Sequence, residues 1–161
     1  MTERPEVLLG RLLTAQSWTL SVAETTAGGL ICARIVGVPG SSGYFHYGVV
    51  AYSKQSKTEI LGIDKALLEA NGAVSEEAAV ALAGSVREMA GTTFGLAETG
   101  IAGPIRGRSP KPVGTACIAL VSGDMARSES VRFEGDREAI RAQITERALC
   151  LATDALVDLS A

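Results

Sequence analysis

Apolar positions recur along this chain at two spacings, and each change of spacing marks a new element. Val7, Leu8, Leu12 and Leu13 repeat at helical intervals, which predicts an amphipathic helix over Glu6–Gln16. Trp18–Ala23 alternates and is rich in β-formers, so it reads as a strand. Gly29–Gly37 returns to helical spacing and is stopped by Gly37 and Pro39. Gly40-Ser41-Ser42-Gly43 is a turn, and Tyr47–Ser53 a buried strand. Lys54–Leu61 and Asp64–Ala70 are two short helices parted by Gly62. Ser75 caps a long helix running to about Ala90, with Glu76 and Glu77 where the helix dipole favours negative charge. Thr92–Ala97 is a short strand. Val113–Val121 and Ala126–Phe133 form a hairpin through Ser122-Gly123-Asp124, and Asp136 caps a final helix from Arg137 to about Leu159.

Helices interleaved with strands predict an α/β sandwich, and the late hairpin makes its sheet mixed. The 161 residues suit one domain spanning 1–161. With aromatics at 4%, the core must be built from Ala, Val, Leu and Ile. A net charge of −3 gives no general attraction to nucleic acid or to an anionic membrane, so any phosphate recognition must be local. The stretch Met1-Thr2-Glu3-Arg4-Pro5-Glu6 is too polar and acidic for a signal peptide. The longest apolar run, Val113–Val121, is half what a bilayer span needs. Cys32, Cys117 and Cys150 are scattered and odd in number, which gives neither a disulfide framework nor a zinc pattern. Buried free thiols are expected, and with them a cytoplasmic location. His46 stands alone, so no metal site is expected.

The most informative stretch is Ala23-Glu24-Thr25-Thr26-Ala27-Gly28-Gly29. It sets a carboxylate, two hydroxyls and a diglycine where a strand gives way to a helix. Such junctions bind anions, because the first amides of a helix lack internal partners. The plain alternative is a capped, tightly packed turn. Two further loops follow strands, at Ser53–Lys57 and Glu98–Pro104. Parallel strands would bring all three to the carboxyl edge of the sheet, where open α/β folds place ligands.

Tyr52 and Lys57 would then hang a phenol and an amine over one crevice. A Lys shifted by burial or by a neighbouring cation such as Lys54 can serve as a base for a hydroxyl such as that of Thr25. A pair of surface residues is the plain alternative. Thr99, Gly100 and Gly103 lie in a small-residue loop that backbone-binding ligands can approach, with Arg106, Arg108 and Lys111 behind it to favour a phosphate. Glu24 and Glu98 end neighbouring strands as an acid–base pair or as caps for backbone amides, the second preferred for Glu98. Arg137 begins a helix and could reach an anion.

In order, the chain carries Ala23-Glu24-x-x-x-Gly28-Gly29, Gly40-Ser41-Ser42, Val50-x-Tyr52-Ser53-x4-Lys57 and Gly72-Ala73-Val74-Ser75. Gly100-Ile101-Ala102-Gly103-Pro104, Lys111-Pro112-Val113-Gly114-Thr115 and Gly135-Asp136-Arg137 follow. This set resembles the CinA C-terminal domain, the nicotinamide-nucleotide amidase family, over nearly the whole chain, and looks like its single-domain form. The resemblance implies a three-layer α/β/α sandwich with a mixed, mostly parallel sheet. It also implies hydrolysis of the carboxamide of nicotinamide mononucleotide to the acid and ammonia, with no metal or cofactor. The partner it implies is a small-molecule pyridine nucleotide, with no nucleic acid and no membrane. Its catalytic Ser, Tyr and Lys fall on Thr25, Tyr52 and Lys57. Glu24, Ala27, Gly28, Gly29, Ser42, Thr99, Gly100, Gly103, Arg106, Lys111 and Arg137 are the expected substrate-binding positions.

The match breaks at the nucleophile. The family pattern Ala-Glu-Ser-x-Thr-Gly-Gly is here Ala-Glu-Thr25-Thr26-Ala27-Gly-Gly, with the register fixed on both sides. Thr25 keeps a hydroxyl but adds a methyl and restricts χ1. Thr99-Gly100 and Ile105-Arg106-Gly107 replace Ser-Gly and Asp-Gly-Gly in the third loop. Two readings stay open. In one, an amidohydrolase activates Thr25 with Lys57 and Tyr52 and holds the oxyanion on the amides of Ala27–Gly29. In the other, a nucleotide-binding or regulatory domain has lost turnover. A protein-interaction role in DNA uptake is the weakest alternative. The Ala face of the Ser75–Ala90 helix (Ala78, Ala79, Ala81, Ala83) packs on the sheet or on a second copy, so a homo-oligomer is possible.

Overall fold

Three side chains start helices by taking an orphan amide. Asp64 accepts from Ala66 N, Ser75 from Ala78 N and Asp136 from Ala139 N, at 2.8–3.1 Å. The structure is a computed structural model that describes residues 3–161. Met1 and Thr2, which open the polar N-terminal stretch, lie outside the described residues. The helices are α1 (Pro5–Ala15), α2 (Leu30–Val36), α3 (Lys65–Asn71), α4 (Glu76–Ala90) and α5 (Arg137–Ser160). The strands are β1 (Leu20–Glu24), β2 (Phe45–Val50), β3 (Phe94–Gly100), β4 (Thr115–Val121) and β5 (Ala126–Arg132).

The sheet runs in the order β2-β1-β3-β4-β5. β2, β1 and β3 are parallel neighbours, while β4 runs against both β3 and β5. The sheet is therefore mixed and the fold α/β, as the residue pattern predicts. Alternation along the central strands splits the core in two. Val22, Leu96 and Ile118 pack with α1, α2 and α5. Their neighbours Ala23, Ala97 and Ala119 pack with α4 and with Leu68 of α3. The large side chains thus face one layer and the small ones the other. Ala78, Ala79 and Ala83 of α4 are completely buried on that small-residue face, so they lie on the sheet. Gly95 permits the contact, since a Cβ there would sit 1.9 Å from the Ala83 carbonyl.

Several boundaries differ from expectation. β2 starts at Phe45 and ends at Val50, and it is alternately half-buried and exposed because it forms the edge of the sheet. Tyr52 therefore lies beyond the strand. Residues 56–60 wind as a π-helical turn. β3 continues to Gly100 because β4 pairs with it as far as Gly100↔Ala116, which puts Glu98 and Thr99 inside the strand. Of the thiols, Cys117 is buried and Cys32 and Cys150 are half-buried. No helix among the described residues is long and apolar enough to cross a membrane, and none of their acid, His or Cys side chains cluster as a metal site would require.

Candidate functional site

The segment between β1 and α2 is held from both sides. Glu24, completely buried at the end of β1, accepts from Gly29 N and Ile31 N at Oε1 and from Cys32 N at Oε2, all within 3.0 Å. Gly28 and Gly29 take left-handed conformations (φ +63° and +103°) that bring those amides round to it. Glu98 reaches across from β3, where its Oε1 accepts from Thr25 N at 2.6 Å and Ala27 N at 2.9 Å. From α5, Arg141 donates to the carbonyls of Thr26 and Ala27, each at 3.0 Å.

This corrects one expectation. The amides of Ala27 and Gly29 do not face an oxyanion, because two carboxylates already occupy them. Glu24 is likewise committed to the start of α2. Both carboxylates cap backbone amides, as preferred for Glu98 from the sequence.

A cavity of about 790 Å³ opens over the carboxyl edge of the parallel strands. Lys54, Lys57, Arg106, Arg108, Lys111 and Arg137 line it, against one acid, Glu69, among the described residues. Six basic side chains against one acid give the lining a positive balance, which favours a negatively charged ligand. Gly100 and Gly103 also line it. Arg137 spans the mouth, donating to Gly103 O at 2.9 Å and to the Tyr52 phenol oxygen at 3.0 Å. Tyr52 is 67% exposed at the rim. Lys57 is 8% exposed in the wall, and burial lowers its amine's proton affinity while the nearby Glu98 works against that. The Lys111 ammonium donates to Val74 O, which ties one side of the rim to the loop before α4.

The remaining expected positions lie outside this lining. Thr25 is buried, its hydroxyl donating to the Glu98 carbonyl at 3.2 Å. Thr99 is buried and donates to Ala73 O at 2.7 Å. Ala27 is buried, and Gly28 and Gly29 turn the chain away toward α2. Ser42 is in the turn that precedes β2, so the length of that strand separates it from the cavity.

Sequence reasoning missed Thr26. Thr26 lines the cavity, and its hydroxyl donates to Gly100 O at 2.9 Å and lies 3.3 Å from the Thr25 hydroxyl. Two adjacent threonines in a loop carry no local signal for which one faces out. Arg141 was missed too, although it follows Arg137 by one helical turn and so shares its face of α5.

Residues 2–156 match the model of the CinA C-terminal domain. The chain belongs to that family. It is 46% identical over 153 residues to a CinA-like protein of Frankia casuarinae, covering 95% of this chain and 35% of that protein. A CinA-like protein of Geotalea uraniireducens is 44% identical over 139 residues, covering 86% of this chain and 33% of that protein. The chain thus spans about a third of the length of the curated relatives it matches. Among crystal structures, a competence or damage-inducible protein from Enterobacter asburiae superposes with a TM-score of 0.92 at 27% identity, covering 94% of this chain and 96% of that one. A competence/damage inducible protein from Agrobacterium tumefaciens gives 0.87 at 30% identity, covering 100% and 98%.

Proposed function

We propose that this CinA-family domain hydrolyses the carboxamide of nicotinamide mononucleotide, or of a related pyridine nucleotide, through a threonine hydroxyl. The observation that carries the reading is the buried Lys57 in the wall of a cation-rimmed cavity that Thr26 also lines. The Lys57 amine, whose proton affinity burial lowers, takes the hydroxyl proton, and the oxygen attacks the carboxamide carbon. The proton passes to the departing nitrogen, which leaves as ammonia, and water then cleaves the ester to free the acid and restore the hydroxyl. Arg106, Arg108 and Arg137 supply charge for the ribose phosphate. Thr25 occupies the position of the family serine, and Thr26 is the threonine that lines the cavity.

The burial of Thr25 favours a second reading, in which the domain binds the nucleotide without turnover. Ammonia release from nicotinamide mononucleotide, measured beside binding, separates the two. Turnover that falls at least about 100-fold in Lys57→Ala supports the amidase. In that case Thr25→Val and Thr26→Val identify the nucleophile. Binding without turnover, with activity appearing in Thr25→Ser, supports the second reading. Absence of both binding and turnover in all of these proteins sinks both.

A further inference from the structure

The cavity reaches round the edge of the sheet to both of its helix layers. Arg137 opens α5, which packs with Val22, Leu96 and Ile118 on one face. Lys54 and Lys57 lead into Leu61 and Ile63, which pack with α4 on the other face. Val74, whose carbonyl accepts from Lys111, packs on that second face too. There Leu68, Glu69 and Asn71 of α3 form part of the cavity wall.

The basic side chains are therefore spread between two layers rather than gathered round one point. None of the six pairs with a carboxylate among the described residues, whereas Arg4, Arg11, Arg34, Arg127 and Arg147 all do. Glu69 shares the lining and forms no ion pair with any of the six, so the acid stands apart at the α3 end. A mononucleotide brings one phosphate, with a charge of about −2 at neutral pH, and a pyridinium ring offsets part of that. It is also small for this site, because 790 Å³ lies in the upper half of the ~300–1,000 Å³ range of small-molecule cavities.

A ligand that engages cations on both faces needs a second anionic group and the length to carry it across. The acid at the far end repels phosphate and suits a hydrogen-bond donor instead, such as the hydroxyls of a ribose. We propose that this cavity takes a dinucleotide, a pyridine nucleotide joined through a diphosphate to a second nucleoside whose ribose hydroxyls meet Glu69. Arg137 serves one phosphate and Lys111 the other, and the carboxamide lies toward Thr26 and Lys57. The pyridine end rests on the amidase reading; the diphosphate and the ribose at Glu69 do not.

The test is calorimetric titration of the full chain with NAD+ and with nicotinamide mononucleotide, in wild type, Glu69→Ala and Lys111→Gln, beside ammonia release from both. Wild type should bind NAD+ at least about tenfold more tightly than the mononucleotide. Lys111→Gln should weaken NAD+ about tenfold more than it weakens the mononucleotide. Glu69→Ala should weaken NAD+ about tenfold, whereas mononucleotide affinity does not fall. The sign is decisive, because simple charge balance predicts that losing an acid from a basic cavity tightens both ligands. Glu69 is exposed on α3, and Glu69→Gln replaces the alanine variant if that one does not fold. Mononucleotide affinity equal to or above that of NAD+, or NAD+ affinity unchanged or raised in Glu69→Ala, overturns the proposal. The amidase reading survives that result wherever ammonia is released from the mononucleotide. Tight NAD+ binding that weakens in Glu69→Ala, with no ammonia from either ligand, retires the amidase reading and leaves the dinucleotide site standing.

Discussion

Strands β1 and β3 lie side by side and run into the same tripeptide, Ala-Glu-Thr, at 23–25 and 97–99. Their surroundings give identical residues different work. Glu24 turns back on its own chain and spends both oxygens on three amides of the α2 start. Glu98 crosses to the other loop, spends one oxygen on two amides and keeps the second unpartnered. Thr99 ties its strand to the loop before α4, while Thr25 ties the first loop back to β3. The first glutamate is followed by a helix that needs a cap. The second is followed by a loop that leads to β4 and leaves its carboxyl nothing local to hold. Glu24 has both oxygens engaged and serves the fold, whereas Glu98 keeps one idle oxygen sealed from water.

The sharpest way to break this comparison is to remove Glu24. Glu24→Ala leaves three amides without acceptors, at about 1–3 kcal/mol each, so a loss of at least about 3 kcal/mol is expected in chemical denaturation. A loss below 1 kcal/mol would show that the cap is dispensable.

The second prediction concerns pH. Folded Glu98 holds its proton up to about 7 against an ordinary value of 4.5. The folded state therefore carries more protons across that window, and stability falls as pH rises through it, by on the order of 3 kcal/mol in all. Lys57 has the opposite sign, since the unfolded amine binds its proton more tightly, so stability climbs again as pH rises toward 10.5. Urea midpoints across this range should dip near neutrality in wild type. Glu98→Gln should lose the falling limb and keep the rising one, whereas unchanged curves would place Glu98 with Glu24 as a plain cap.

The two threonines give the smallest effects. Thr99→Val removes one hydrogen bond to Ala73 O and should cost about 1 kcal/mol, with little change in ligand affinity. Thr25→Val should cost a similar amount in stability, but on the amidase reading it also abolishes turnover if Thr25 is the nucleophile. Equal functional effects at both positions would erase the distinction between the two strand ends.

Much of this arrangement was legible beforehand. Asp64, Ser75 and Asp136 announced three helix starts, and each caps one. The three loops that follow the parallel strands do meet at one edge of the sheet, with Lys57, Tyr52 and Arg137 lining one cavity. Harder to read was the extent of β3, because its last residues are held by pairing with β4, fifteen or more residues away in the chain. The turn at Ser41–Gly43 looked like part of the site from its motif. Its place before β2 puts it at the opposite end of the strand.

The sequence by itself determined the elements, the mixed sheet and the family, because helix caps, alternation and glycine placement act over a few residues and survive in any context. Only the tertiary structure decided that Thr26 rather than Thr25 lines the cavity, that Arg141 braces the loop, and that Glu98 reaches across to the amides of Thr25 and Ala27. Those facts depend on which side chains long-range strand pairing brings together, and on which of them it seals from water. Burial and neighbouring charge, which set the chemistry of a carboxyl or an amine, do not exist until the sheet has closed around them.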